Sequence, residues 1–132
     1  MKINFLKLIK YLYYLTLIVM LILYLFPGSL IGHLLYGDFG KQPDLIPNPI
    51  GTSINHLLAF LYLSLLGLIS CIRDKSLIQT IIFLISLSVI MELSHYYIPN
   101  RSFEFLDLFA NLFGVLTSIF IILVYKKLNE KN

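Results

Sequence analysis

Residues 76–125 read SLIQTIIFLISLSVIMELSHYYIPNRSFEFLDLFANLFGVLTSIFIILVY, two apolar runs separated by Pro99-Asn100-Arg101. About 20 residues at a rise of about 1.5 Å each cover the roughly 30 Å hydrocarbon core of a bilayer, so the stretch predicts two consecutive transmembrane helices. Their expected limits are about Ser76 to Ile98 and about Phe103 to Tyr125, the second closed by Lys126-Lys127. Both runs contain groups that hydrocarbon excludes. Glu92, Asp107 and Asn111 lie inside them, Arg101 lies in the turn, and upstream His56 opens another apolar run. Ionisable side chains in a span face other helices or a wet cavity and pair there, which makes these five residues the first candidates for a functional site.

The rest of the chain agrees on the solvent. Of its 132 residues 58% are hydrophobic and 13% charged, with a mean hydropathy of +0.86, which suits a membrane and not a soluble domain. Upstream of 76–125, two more spans are expected, about Phe5 to Phe26 and about Ile54 to Ile72. The first ends at Pro27-Gly28 without a clear small-x-small cleavage site, so it reads as a retained helix and not a signal peptide. The fold class is therefore all-α: one polytopic membrane domain over residues 1–132, a bundle of four transmembrane helices. Lys and Arg accumulate on cytoplasmic segments. With both termini inside, Lys2, Lys7, Lys10, Arg73, Lys75, Lys126, Lys127 and Lys131 are cytoplasmic, and only Lys41 and Arg101 are outside. The linker 27–53, with four of the five prolines, is then extracytoplasmic, and its apolar start, Ser29 to Tyr36, suits a short interfacial helix. Tyr11, Tyr13 and Tyr14 at one level and Tyr24, Tyr36, Tyr96 and Tyr97 at the other read as aromatic belts.

Several functions are excluded. The single cysteine, Cys71, has no partner for a disulfide and reads as an apolar packing residue. A net charge of +3, with no Gly-rich phosphate loop or basic stripe, argues against nucleic acid. His33 reads as a loop histidine. No cofactor is expected.

Helical periodicity gives the faces. Asp107, Asn111, Gly114 and Ser118 recur at four, three and four residues and share one stripe; Ser88, Glu92 and His95 share another; His56, Ala59, Leu63, Gly67 and Ser70 make a third, mostly small one. Packing these three faces together keeps them from lipid, whereas the first span, Leu and Ile nearly all round, shows no such face. Glu92, six residues before Ile98, is expected about 9 Å below its helix end, and Asn111 about 12 Å below Phe103.

From His56 through Glu92, Pro99-Asn-Arg101-Ser-Phe and Asp107-Leu-Phe-Ala-Asn111-Leu-Phe-Gly114, the chain resembles the VanZ-like family of small bacterial membrane proteins, over about 52–125. That family's pattern has an Asp-Lys pair before the His, a Gln three residues after the Glu, a Pro-x-Arg turn and Asp-x-x-x-Asn-x-x-Gly. Thr52-Ser53 stand here for the Asp-Lys pair, and His95 for the Gln. The resemblance implies a multi-pass protein of the cell envelope in the bacterial cytoplasmic membrane, in a family named for a protein associated with teicoplanin resistance.

The five residues allow three readings. In a structural lock, Arg101 pairs with Glu92 or Asp107 while Asn111 bridges helices. As a binding site at the outer leaflet, they offer a cation, carboxylates and an imidazole to membrane lipids, a lipid-linked envelope precursor or a glycopeptide, with Leu30 to Tyr36 as a lid. As a lipid-modifying enzyme, His56 acts as general base oriented by Glu92 or Asp107, with Ser102 the nearest hydroxyl to Arg101. A metal centre is not expected, since Glu92-x-x-His95 matches a di-iron ligand pair but lacks the second pair and further Glu residues that design needs.

The charge distribution fixes an expected outcome for cysteine accessibility. In a Cys71→Ser background, single cysteines near Lys41 and Asn100 should react with an impermeant reagent on intact cells, and those near Lys75 and Lys127 only after permeabilisation; the reverse pattern would place the polar residues in the cytoplasm.

Overall fold

In a computed structural model, which describes residues 5–43 and 51–129, the chain is all-helical. Helix α1 runs Phe5–Leu25, α2 Leu30–Tyr36, α3 Gly51–Ser70, α4 Leu77–Ser94 and α5 Phe105–Asn129. All but α2 are long and apolar enough to cross a membrane, the architecture of a multi-pass membrane protein. Lys2, Lys131 and the linker prolines Pro47 and Pro49 lie outside the described residues, as does the Thr52 side chain.

Each boundary has a local cause. Pro27 has no N–H to bond the Leu23 carbonyl, so α1 stops at Leu25. The interfacial segment forms as α2: the Ser29 hydroxyl accepts the Gly32 N–H at 2.9 Å, and Gly37, at φ 70°, closes the helix in the left-handed region. Helix α4 ends at Ser94, four residues short of the expected Ile98. There the amides of His95, Tyr96 and Tyr97 switch to carbonyls three residues back, and Pro99 with Asn100, at φ 59°, turns the chain. Glu92 is consequently two residues from its helix end, about 3 Å in place of the expected 9 Å, and Asn111 is six residues into α5, about 9 Å in. Helix α3 starts at Gly51, three residues earlier than expected, which brings Ser53 into its first turn.

Polarity is inverted relative to a soluble bundle. Outward faces carry Phe, Leu, Ile and Tyr, while Ser64, Ser88, Glu92, Asn111 and Ser118 are fully buried. α3 and α5 form the most extensive helix pair, α1 packs on α3, and α4 packs on α5. All four residues of the α5 stripe, Asp107, Asn111, Gly114 and Ser118, are buried, as the periodicity requires. The expectation that the first span lacks an inward face fails: Ile9, Tyr13, Met20 and Tyr24 form a buried stripe on α1. Tyr13 and Tyr24 therefore leave the aromatic belts, whereas Tyr11, Tyr14, Tyr36, Tyr96 and Tyr97 stay exposed.

Close approach of α3 and α5 depends on Gly114. A Cβ there would lie 2.6 Å from the Leu57 carbonyl oxygen and 2.8 Å from the Leu61 amide nitrogen, both backbone of α3. At Gly67 a Cβ would meet the Tyr13 ring, 2.8 Å from Cε2, a side-chain contact and not one with backbone. Gly114→Ala should cost about 1–3 kcal/mol in a detergent melt, with Gly67→Ala costing less; equal or reversed penalties would contradict this helix contact.

Candidate functional site

At one end of the bundle Phe5, Arg73, Lys126 and Asn129 surround a cavity of about 930 Å³, which gathers the start of α1, the α3–α4 turn and the end of α5. The polar residues collect at the other end. Helix α3 contributes His56 and Ser53, α4 contributes Glu92, the turn after it His95, α5 Asp107 and Asn111, and α1 Tyr24.

His56 stands between two carboxylates, with Nδ1 3.6 Å from Glu92 Oε2 and Nε2 3.5 Å from Asp107 Oδ2. Glu92 is fully buried; its Oε1 accepts the backbone N–H of Glu104 at 3.1 Å and lies 3.3 Å from His95 Nδ1, and its Oε2 accepts from Asn111 Nδ2 at 3.4 Å. Asp107, in the first turn of α5 where the helix dipole favours a carboxylate, accepts the Ser53 hydroxyl at 2.5 Å. The Asn111 carbonyl accepts the Tyr24 hydroxyl at 3.2 Å. Tyr24 also places its ring on His95, with centroids 5.9 Å apart, and against His56 at 5.0 Å. Below this, the Ser118 hydroxyl donates to the Leu61 carbonyl at 3.0 Å and ties α5 to α3.

The fold thus brings together His56, Glu92, Asp107 and Asn111, and adds His95. Arg101 behaves differently from the expected ion pair. Its Nη2 donates to the Leu23 carbonyl at 2.8 Å and its Nε to Phe26 at 3.4 Å. The reason lies in α1: Pro27 leaves the Leu23 carbonyl without its helical donor, and a cation at a helix C-terminus is favoured. His95 Nε2, 3.3 Å from the Tyr24 carbonyl, approaches the same helix end. Partial burial lowers the Arg101 pKa from its ordinary value, against the opposing pull of Tyr24, Glu92 and Asp107; a guanidinium stays charged regardless. Ser102 is exposed and donates to Glu104 at 3.4 Å, outside the cluster. His33 is exposed on α2 and stacks on Phe39.

Two members escaped sequence reasoning. Tyr24 looked like a belt residue because it ends a span, though its spacing from Tyr13 and Met20 marks one helical face. Ser53 stood out only as a departure from the Asp-Lys pattern, and its hydroxyl is what meets Asp107.

A pocket of about 150 Å³ opens beside the cluster under α2. It is lined on one side by His56, Tyr24 and Arg101 and on the other by Ser29, Leu30 and Ile31. His56 is therefore both a member of the buried network and a wall of the pocket, and one donor atom from each of His56, Glu92 and Asp107 lies within 4.8 Å of the other two. Comparisons with protein-family models, curated proteins and solved structures give no match for this chain.

Glu92 accepts at both oxygens, so an amide there would turn an N–H toward donors. Glu92→Gln should lower stability by about 1–3 kcal/mol in a detergent melt, while exposed Glu104→Gln should stay within about 0.5 kcal/mol of wild type. Equal effects of the two would deny the network its structural weight.

Proposed function

We propose that the chain is a VanZ-like protein of the bacterial cytoplasmic membrane, with both termini cytoplasmic, that holds the polar head of an envelope lipid at the extracytoplasmic leaflet. The observation that carries this reading is the pocket, because it joins a permanent cation, Arg101, and an imidazole, His56, to an apolar wall of Met20, Leu23, Leu30 and Ile31. Such a lining suits a phosphate-bearing head group whose chains run along the lipid-facing surface. Its size is selective. Drug-sized ligands occupy roughly 300–1,000 Å³, so about 150 Å³ takes a head group and excludes an entire glycopeptide. A lipid-linked envelope precursor is the ligand of choice, and a contribution to teicoplanin tolerance would follow from handling that lipid and not from capturing the antibiotic.

A second reading, an outer-leaflet lipid-modifying enzyme, draws on one feature. His56 faces the pocket and has Asp107 3.5 Å from Nε2, the arrangement by which a carboxylate orients a general base. A purely structural lock accounts for Glu92 and Asn111 but leaves the pocket without a purpose.

Lipid retention distinguishes these readings. The full chain, purified in mild detergent, should carry an anionic lipid that mass spectrometry identifies after extraction. Ala59→Phe, which fills the pocket without touching the network, should strip that lipid and raise glycopeptide sensitivity in cells while abundance and melting temperature stay near wild type. His56→Ala that retains the lipid but loses cellular activity would favour the enzyme. Retention unchanged in Ala59→Phe would refute the head-group reading, and loss of function only in step with loss of protein would leave the lock.

A further inference from the structure

One oxygen of each buried carboxylate faces the same imidazole. On Glu92, Oε1 is engaged by the Glu104 N–H and by His95; on Asp107, Oδ1 is engaged by Ser53. Glu92 Oε2, which also accepts from Asn111 Nδ2 at 3.4 Å, lies 3.6 Å from His56 Nδ1, and Asp107 Oδ2 lies 3.5 Å from His56 Nε2. His56 Nδ1 is buried, on a residue 8% exposed, and has no hydrogen-bond partner among the described residues.

We propose that His56, Glu92 and Asp107 are a three-ligand site for a divalent transition-metal cation of the zinc class. Two ligands on a tetrahedral ion with bonds of about 2.1 Å lie roughly 3.4 Å apart; one donor atom from each of His56, Glu92 and Asp107 already lies within 4.8 Å of the other two, so small side-chain rotations close the set on one ion. One ring nitrogen binds, and the other keeps its proton. Two carboxylates with a neutral imidazole carry a charge of −2 that a divalent ion cancels inside an apolar bundle, and the nitrogen donor selects zinc-like ions over Mg2+ and Ca2+. Ser53, His95 and the Glu104 amide take the supporting role of groups that hold ligating carboxylates in orientation. The Glu92-x-x-His95 spacing pairs two residues of one helix turn, whereas the fold sets His95 behind Glu92 and brings His56 and Asp107 from different helices. The inference rests on the head-group reading only in taking the pocket as the open fourth position, where water or a phosphate oxygen binds.

The test uses the full chain in detergent, stripped with a chelator and titrated with Zn2+ or Co2+ alone, without added lipid. One ion per chain should survive desalting, the melting temperature should rise, and Co2+ should give the visible absorption of a four-coordinate site. Asp107→Asn should lose more affinity than the roughly 10-fold expected for Ser53→Ala, which removes only a supporting hydroxyl. If Asp107→Asn does not fold, the wild-type stoichiometry and Co2+ spectrum decide alone. Wild-type protein that retains no ion overturns the proposal, as does an ion held with undiminished affinity by folded Asp107→Asn and His56→Gln. Zinc binding by protein that carries no lipid removes only the head-group reading; lipid retention by protein that takes no ion removes only the metal.

Discussion

Glu92 is fully buried in an apolar bundle, and a carboxylate in that setting must be supplied with hydrogen-bond donors by its own fold. Much of the surrounding structure answers that requirement. Helix α4 stops two residues beyond Glu92, and the chain turns so that the Glu104 N–H, just before α5, reaches Oε1. Asn111 on α5 supplies Oε2 and is itself fixed by the Tyr24 hydroxyl from α1. One buried group thereby sets the relative placement of three helices, and interhelical polar bonds of this kind are worth about 0.6–2 kcal/mol each in membranes.

The same requirement explains why the site lies at one end. Pro27 breaks α1 and leaves carbonyls that Arg101 and His95 approach, which pins the α4–α5 turn over the end of α1. Gly114 lets α5 approach α3 until backbone nearly touches backbone, and that contact brings Asp107 within reach of Ser53 and His56. The outcome is a buried network of which one member, His56, lines a small pocket that also reaches Arg101.

Much of this was legible in the sequence because a bilayer leaves few choices. Apolar runs of spanning length gave the four long helices, and periods of three and four residues put Asp107, Asn111, Gly114 and Ser118 on one buried face. What escaped depended on tertiary partners. Arg101 looked destined for a carboxylate, since charge attracts charge, but the nearer need was an orphaned carbonyl created by a proline 74 positions earlier. Tyr24 looked interfacial because tyrosine commonly is, and nothing local marks its hydroxyl as the partner of an asparagine 87 residues away. The helix end at Ser94 was misplaced because apolar residues continue to Ile98, while hydrogen bonding had already tightened at His95.

Helix α1 joins the polar network through Tyr24. Solid-state NMR on the labelled chain in lipid bilayers tests it directly by recording contacts of the Tyr24 ring. Cross-peaks are expected to the rings of His56 and His95, whose centroids lie 5.0 and 5.9 Å away, with no transfer from lipid acyl chains. A Tyr24 ring that correlates with acyl chains and with neither histidine would contradict it.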